Sequence, residues 1–332
     1  MFTLPEYCAP DFSAPLLQNA PSVRTAPAPA DGAAPAGYHA TGMYPEYYKV
    51  DGVWRLAEKS RMDCVPVLAP DGELRIVEFR NLVQGDSVVL GRTDDGSEGI
   101  LMHTEGFSAG GKSAEAFAFR TGRSRETAFT RDYYALAGLL RHEKEHGNVV
   151  WVLGPACSFD ASAKAAMQAL IENGYAHGLL AGNALATHDL EASYLGTALG
   201  QDIYTQKSMP NGHYNHIDTL NAIRLCGSTA AFVEAGKAKD GIIYECVRNH
   251  IPYVLVGSVR DDGPLPEVYG NVYEGQDAMR ALVREATTVI CMASTLHTVA
   301  TGNMTPSSRV VDGVVRPVYF YSVDVSEFAV NK

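Results

Sequence analysis

The sequence predicts an α/β chain in two parts, a small all-β domain followed by an open parallel sheet with helices packed on its faces. Three observations carry this. From Val149 onward, short runs that are apolar at every position alternate with segments of helical spacing. Between residues 44 and 104 the apolar runs alternate residue by residue about Asp-Gly pairs. Before residue 40 the chain is dominated by Pro, Ala and Gly.

The 332 residues are enough for two domains, and 46% hydrophobic with 20% charged residues allows a sizeable core. A formal net charge of -11 argues against a nucleic-acid partner, which needs a basic face. No apolar run approaches the roughly 20 residues that cross a bilayer, so no membrane partner is expected. The N-terminus lacks the basic-then-apolar pattern of a signal peptide. Six scattered cysteines without a C-x-x-C read as reduced thiols in a cytoplasmic protein.

Residues 1–40 (APSVRTAPAPADGAAPAG within them) read as a flexible Pro/Ala-rich arm, because frequent prolines break helix and ladder alike. Residues 41–104 form the small β domain. Its hairpins turn at Asp51-Gly52 and Asp71-Gly72, where Asp-Gly favours the positive φ angles of a tight turn, and GDSVVLG adds a strand. Residues 105–147 are a connector and a helix, with Tyr134, Leu136, Leu139 and Leu140 on one side and Gly147 placed to end it. Residues 148–332 form the α/β domain. Its strands are expected at 149–154, 178–182, 253–258, 288–293 and 318–324, continuously apolar as strands buried on both faces are. SAKAAMQALIENG and EGQDAMRALVREA read as helices, and strand–helix alternation implies a parallel sheet.

Open parallel sheets bind ligands beyond the carboxyl ends of their strands, so the residues just after each strand are the candidates. They are Gly154–Ser158, Gly182-Asn183-Ala184, Gly257–Gly263, Ala293–His297 and Asp324. Any one such loop needs small and polar residues merely to turn. At the last unit a helix beginning near Ser294, capped by Ser294 or Thr295, would offer free amides and a positive dipole end to an anion. Asp324, at the tip of the following strand, stands where a dinucleotide fold binds ribose hydroxyls and would repel a 2′-phosphate. The same Asp could equally cap a helix. No G-x-G-x-x-G occurs. Asp261-Asp262, stiffened by Pro264 and Pro266, could place one carboxylate on a ribose or nicotinamide and the other on substrate, or form a solvated turn.

Two motifs point elsewhere. His213-x-x-His216 with Asp218 lacks H-E-x-x-H and any cysteine cluster, and reads as a polar helix start with no metal. Gly106 to Ser113 fits the phosphate-cradling G-x-x-x-x-G-K-[ST], with Lys112 in the lysine position. No clear strand ending in a magnesium-binding Asp follows soon after, so it reads as a chance match.

GNALATHDLEASYLGTALG, GHYNHIDTLNAIRLCGS, GIIYECVRNHIPYVLVGSVRDDGPLPEV, QDAMR, LHTVATGNM and, earlier, GYHATGMYPEYYKVDGVWRLAEKSRMDC resemble the LOR/SDH-type conserved domain. Its members include archaeal-type ornithine cyclodeaminases and the C-terminal half of cyanobacterial arginine dihydrolase/ornithine cyclodeaminase fusions. The resemblance spans roughly Gly37 to the C-terminus. It implies a Rossmann-like, deoxyhypusine-synthase-like NAD-binding fold without the glycine fingerprint. It also implies conversion of L-ornithine to L-proline and ammonia through NAD, a small-molecule amino-acid substrate, and a homo-oligomer. Carried onto matching positions, the dinucleotide would contact Asn183, Ala184, Asp261, Ser294, Thr295, Leu296, His297 and Asp324. Two departures stand out: a Pro/Ala-rich arm where relatives carry a folded segment, and an end at VDVSEFAVNK where relatives continue with at least one more helix. Asp262 is the leading general base, followed by Cys64 and His188, with Arg260, Lys112 or Arg61 to meet the substrate carboxylate. Two other readings stay open: an NAD-dependent amino-acid dehydrogenase or imine reductase, and a catalytically silent NAD-binding regulatory module.

Overall fold

The computed structural model describes residues 2–107, 130–261 and 263–325, with the backbone alone at Thr130, Arg131 and Leu296. The chain divides into one unit of residues 1–136 with 303–318 and another of residues 137–302 with 319–332.

In the first unit a short helix α1 (Pro15–Gln18) precedes β1 (Arg24–Pro27), β2 (Glu46–Val50), β3 (Val53–Leu56), β4 (Cys64–Leu68), β5 (Leu74–Glu78), β6 (Ser87–Leu90) and β7 (Ile100–Met102). They build two antiparallel sheets, β1-β6-β4-β5 and β3-β2-β7. Asp51 (φ 51) and Gly52 (φ 80) make the left-handed turn expected between β2 and β3, where Val50 pairs Val53. The second hairpin differs. Leu68 pairs Leu74, so five residues turn it and only Gly72 (φ 82) of the Asp71-Gly72 pair is left-handed.

Strand alternation sends neighbouring residues to opposite faces, and this sheet is apolar on both. Val88 of β6 packs with Ala28, Val65, Val67 and Leu82. Its neighbour Val89 packs with Tyr48, Val50, Ala57 and Ile100. The segment expected to be a flexible arm differs from that reading. Arg24–Pro27 is an edge strand on β6, Ala28 lies in one cluster and Val23 packs against the other. Proline is tolerated there because an edge strand leaves one side without ladder bonds.

The second unit is entered by α2 (Thr130–His146), which stops at Gly147. The Glu143 carboxylate on α2 is fully buried and accepts the hydroxyls of Thr287 and Thr288. There follow β8 (Val149–Leu153), α3 (Ala156–Phe159), α4 (Ala161–Glu172), β9 (Gly178–Gly182) and α5 (Asn183–Leu195). A small hairpin β10 (Thr197–Ala198) and β11 (Gln201–Asp202) leads to α6 (His213–Cys226), α7 (Thr229–Glu234) and α8 (Ile242–Arg248). Last come β12 (Tyr253–Val256), α9 (Val272–Val283), β13 (Thr288–Met292), α10 (Thr295–Met304) and β16 (Tyr319–Val323); the hairpin β14 (Ser308–Val311) and β15 (Val314–Pro317), between α10 and β16 in the chain, belongs to the first unit. The five expected strands form one parallel sheet, ordered β12-β9-β8-β13-β16. Val149 to Leu153 are all buried, as a central parallel strand requires. The hairpin predicted at Asp312-Gly313 is present, with both residues left-handed (φ 52 and 80). No helix among the described residues is long and apolar enough to cross a membrane.

Candidate active site at the carboxyl edge of the parallel sheet

The strand order sets where a ligand can enter. From β8 the chain builds outward through β9 to β12, then crosses back to β13 beside β8 and builds the other way to β16. The connections leaving β8 and β13 therefore diverge, and a crevice opens between their carboxyl ends. In register Leu153 pairs Met292 and Met292 pairs Val323, so Gly154, Ala293-Ser294 and Asp324 follow side by side on this edge.

The crevice floor depends on close backbone approach. The Gly154 amide donates to the Met292 carbonyl at 2.8 Å, and a methyl group on Gly154 would collide with the carbonyl of Ala293. Ala293 itself is left-handed (φ 55), costing a non-glycine residue roughly 1–2 kcal/mol. That turn swings the chain from β13 into α10. Its amide donates to the Val323 carbonyl at 3.2 Å, tying the turn to the strand that ends at Asp324.

α10 opens at the crevice. Its first-turn amides have no preceding turn to bond, and the positive end of its dipole faces the same edge. Ser294 Oγ lies 3.1 Å from His297 Nδ1, and Thr298 donates its amide to the Ser294 carbonyl at 3.1 Å. Burial lowers the His297 pKa, so its ring is neutral at neutral pH. A Cβ at Gly182 would sit 3.2 Å from His297 Cε1, so the glycine ending β9 gives that ring its room.

The β12 side is bound by one amide. Asn183, first residue of α5, donates through Nδ2 to Asp261 Oδ1 (3.3 Å) and accepts from the Leu265 amide (3.0 Å) and the Thr187 hydroxyl (3.1 Å). Asp261 Oδ2 accepts the Ser258 amide at 2.7 Å. Asn183 and Asp261 thus shape the loop after β12 as well as facing the edge. Ala184 follows in the first turn of α5, and Arg260 is exposed on the loop. Asp262, Lys112 and residues 108–113 of the phosphate-loop match lie outside the described residues. Leu296 is placed by its backbone only.

The other candidates belong to other elements or later turns. Cys64 begins β4 in the first unit, buried, its thiol 3.5 Å from the Met62 carbonyl. Arg61 is buried against the Glu78 carboxylate in the same unit and is not a surface cation. His188 sits in the second turn of α5, its Nδ1 3.1 Å from Glu191 Oε2. Burial pushes the Glu191 carboxyl up, but hydrogen bonds from His188, the Gly200 amide and Thr197 outweigh it and hold the pKa below the usual range. His216 of α6 packs against His188, with ring centroids 5.2 Å apart. Burial and the neighbouring His188 lower its pKa. The meeting of His188, Glu191 and His216 was not foreseen from sequence. Its one signal was the i, i+3 spacing of the first two, whereas His213 and Asp218 of the H-x-x-H stretch point to solvent.

A parallel sheet with helical crossovers and a switch point lined by Gly154, Ser294 and Asp324 defines a Rossmann-type α/β protein. The family described as arginine dihydrolase ArgZ-like, C-terminal, Rossmann fold matches residues 135–323. An ornithine cyclodeaminase of Methanopyrus kandleri is 38% identical over 286 residues, 86% of this chain and 68% of its own length. The crystal structure of a LOR/SDH protein from Methanococcus maripaludis superposes with a TM-score of 0.82 at 33% identity, over 94% of this chain and 90% of that one. The ternary complex of AgrE with ornithine and NAD+ superposes with a TM-score of 0.57 at 30% identity, over 95% of this chain and 42% of that one. The chain belongs to the ArgZ-like C-terminal Rossmann-fold family, which it shares with the LOR/SDH-type ornithine cyclodeaminases.

Proposed function

We propose that this chain is an NAD-dependent ornithine cyclodeaminase of the cytoplasm that converts L-ornithine to L-proline and ammonia. The observation that carries the reading is the register at the switch point. The turn into α10 and the carboxylate of Asp324 follow adjacent parallel strands, each beginning one residue beyond the paired Met292 and Val323. A helix N-terminus suits a pyrophosphate, and a carboxylate at the neighbouring strand tip suits ribose hydroxyls while rejecting a 2′-phosphate. Gly154 and Gly182 make room for the Ala293 carbonyl and the His297 ring, and the residues that fit a dinucleotide are the first-turn amides of α10 and Asp324. That AgrE is solved with ornithine and NAD+ supports the same assignment. Six cysteines without a disulfide suit a reducing compartment.

Held by the first-turn amides of α10 and by Asp324, NAD would supply reversible hydride acceptance with no net reduction. The chain's own groups do the remaining work. Thr295, Leu296 and His297 offer first-turn amides, and neutral His297 adds no competing charge. Asn183 and Asp261 hold the loop carrying Asp262, which we assign as the base that removes the α-amine proton and returns one to the departing ammonia. His188 is occupied by Glu191 and Cys64 is a buried thiol, so both rank behind it. We assign Arg260, exposed on the loop after β12, to the substrate carboxylate.

The protein incubated with L-ornithine and NAD should yield proline and ammonia in equal amounts, with no rise in reduced-nicotinamide absorbance. Asp262→Asn should lower kcat by about 100-fold or more. Net NADH accumulation would show a dehydrogenase instead, and NAD binding without turnover a silent module. Either result overturns the proposal.

A further inference from the structure

Three side chains of the second unit converge away from the loops assigned to the dinucleotide. His188 and Glu191 stand one turn apart on α5, and α6 brings His216 to them. One nitrogen of each imidazole and one carboxylate oxygen all lie within 4.8 Å of one another. His188 is 4% exposed and Glu191 is 0% exposed. The His188 ring is held between that of Phe159, 5.1 Å away, and that of His216. The Nδ1 of His216 is buried and has no hydrogen-bond partner among the described residues. A buried nitrogen left so costs on the order of 1–3 kcal/mol and calls for a reason.

We propose that His188, Glu191 and His216 bind one divalent transition-metal ion of the zinc type. Two imidazoles and one carboxylate are the donor set of such ions, whereas Mg2+ and Ca2+ take oxygens. Three protein ligands leave a further position open to water or a ligand atom. The surroundings are built to hold these donors. Glu191 accepts from the Thr197 hydroxyl (2.7 Å), the Leu199 amide (3.1 Å) and the Gly200 amide (3.0 Å), an outer shell that orients the carboxylate. A Cβ on Gly200 would come within 2.5 Å of the Gly212 carbonyl carbon. Gly212 is the residue preceding α6. The backbone contact that gives Glu191 its amide therefore also sets where α6 begins, and with it where His216 stands. Bonds of about 2.0–2.1 Å hold tetrahedral ligand atoms roughly 3.4 Å apart, so a pair at the 4.8 Å limit must close by about 1.4 Å, while His188 Nδ1 and Glu191 Oε2 are already 3.1 Å apart. His216 is the least buried of the three.

The full chain without a histidine tag, stripped with chelator, is titrated with Zn2+ by calorimetry and with Co2+ by visible absorption. The expected result is one ion per chain and a Co2+ d–d band of low coordination number that Zn2+ bleaches. His216→Ala and His188→Asn should each weaken binding by about a hundredfold or more and remove the band. His213→Ala should change neither. His216→Ala lies at a half-exposed helical position, so an unchanged apo melting temperature separates lost ligation from lost folding. Absence of stoichiometric binding overturns the proposal. So does an ion that survives in both variants and disappears on replacing His142 and His146, whose rings lie 5.0 Å apart on α2. The readout needs neither ornithine nor NAD, so it fails or holds separately from the proposed reaction.

Discussion

Helices α5 and α9 both pack in the second unit, and they do it by opposite chemistry. α9 buries a single stripe, Gly275, Met279 and Val283, spaced four apart, and a Cβ on Gly275 would stand 2.9 Å from Val256 of β12. It is an ordinary amphipathic helix, capped by Asn271, which accepts the amides of Tyr273 and Glu274. α5 buries residues all round, and Asn183, Thr187, His188, Asp189 and Glu191 are among them. Asn183, Asp189 and Glu191 are satisfied by partners outside the helix, Thr187 by Asn183 one turn earlier and His188 by Glu191. Asp189 accepts the amides of Ile242 (3.0 Å) and Ile243 (2.8 Å), capping α8 where Gly241 offers no side chain of its own. The difference shows that apolar packing holds the sheet together while buried polar ties place the loops that surround the site.

The comparison breaks most sharply at Asp189. Asp189→Ala leaves two buried α8 amides without their acceptor, whereas Lys164, 5% exposed, keeps its ion pair with Asp240. The expected loss is about 3–5 kcal/mol, read as a lower denaturant midpoint. Replacement by leucine at no cost would show that α5 needs only volume. On α9, Met279→Ala removes apolar contacts alone, and about 2 kcal/mol is expected because the site can partly collapse. A loss as large as that at Asp189 would erase the distinction. The smallest effect is a titration, since His216 and His297 are only partly buried and water screens them. Both flank α5, and both have pKa values lowered from 6.5 in the folded chain. The folded state then binds fewer protons than the unfolded one, so their contribution is complete above 6.5 and is lost as pH falls through 6.5 toward the folded values. Denaturant midpoints across that window should fall, and fall less in His216→Ala. A midpoint that rises on acidification would reverse the assignment.

What could be read from residues alone follows from local periodicity. Continuous apolar runs such as Val149–Leu153, turn pairs such as Asp51-Gly52 and Asp312-Gly313, and the four-residue spacing of α9 each record a local environment, so strands, hairpins and the parallel sheet were legible. The candidate edge was legible too, because Ser294 and Asp324 follow strands whose carboxyl ends must share one side. Segment 24–27 misled because its prolines spoke against structure, and only the exposed side of an edge strand made room for them. The strand order, the Gly154–Ala293 contact, the Asn183–Asp261 tie and the meeting of His188 and Glu191 with His216 were decided by tertiary structure. Each joins residues distant in the chain through direction and distance, and periodicity along one element carries no record of what another element will bring to it.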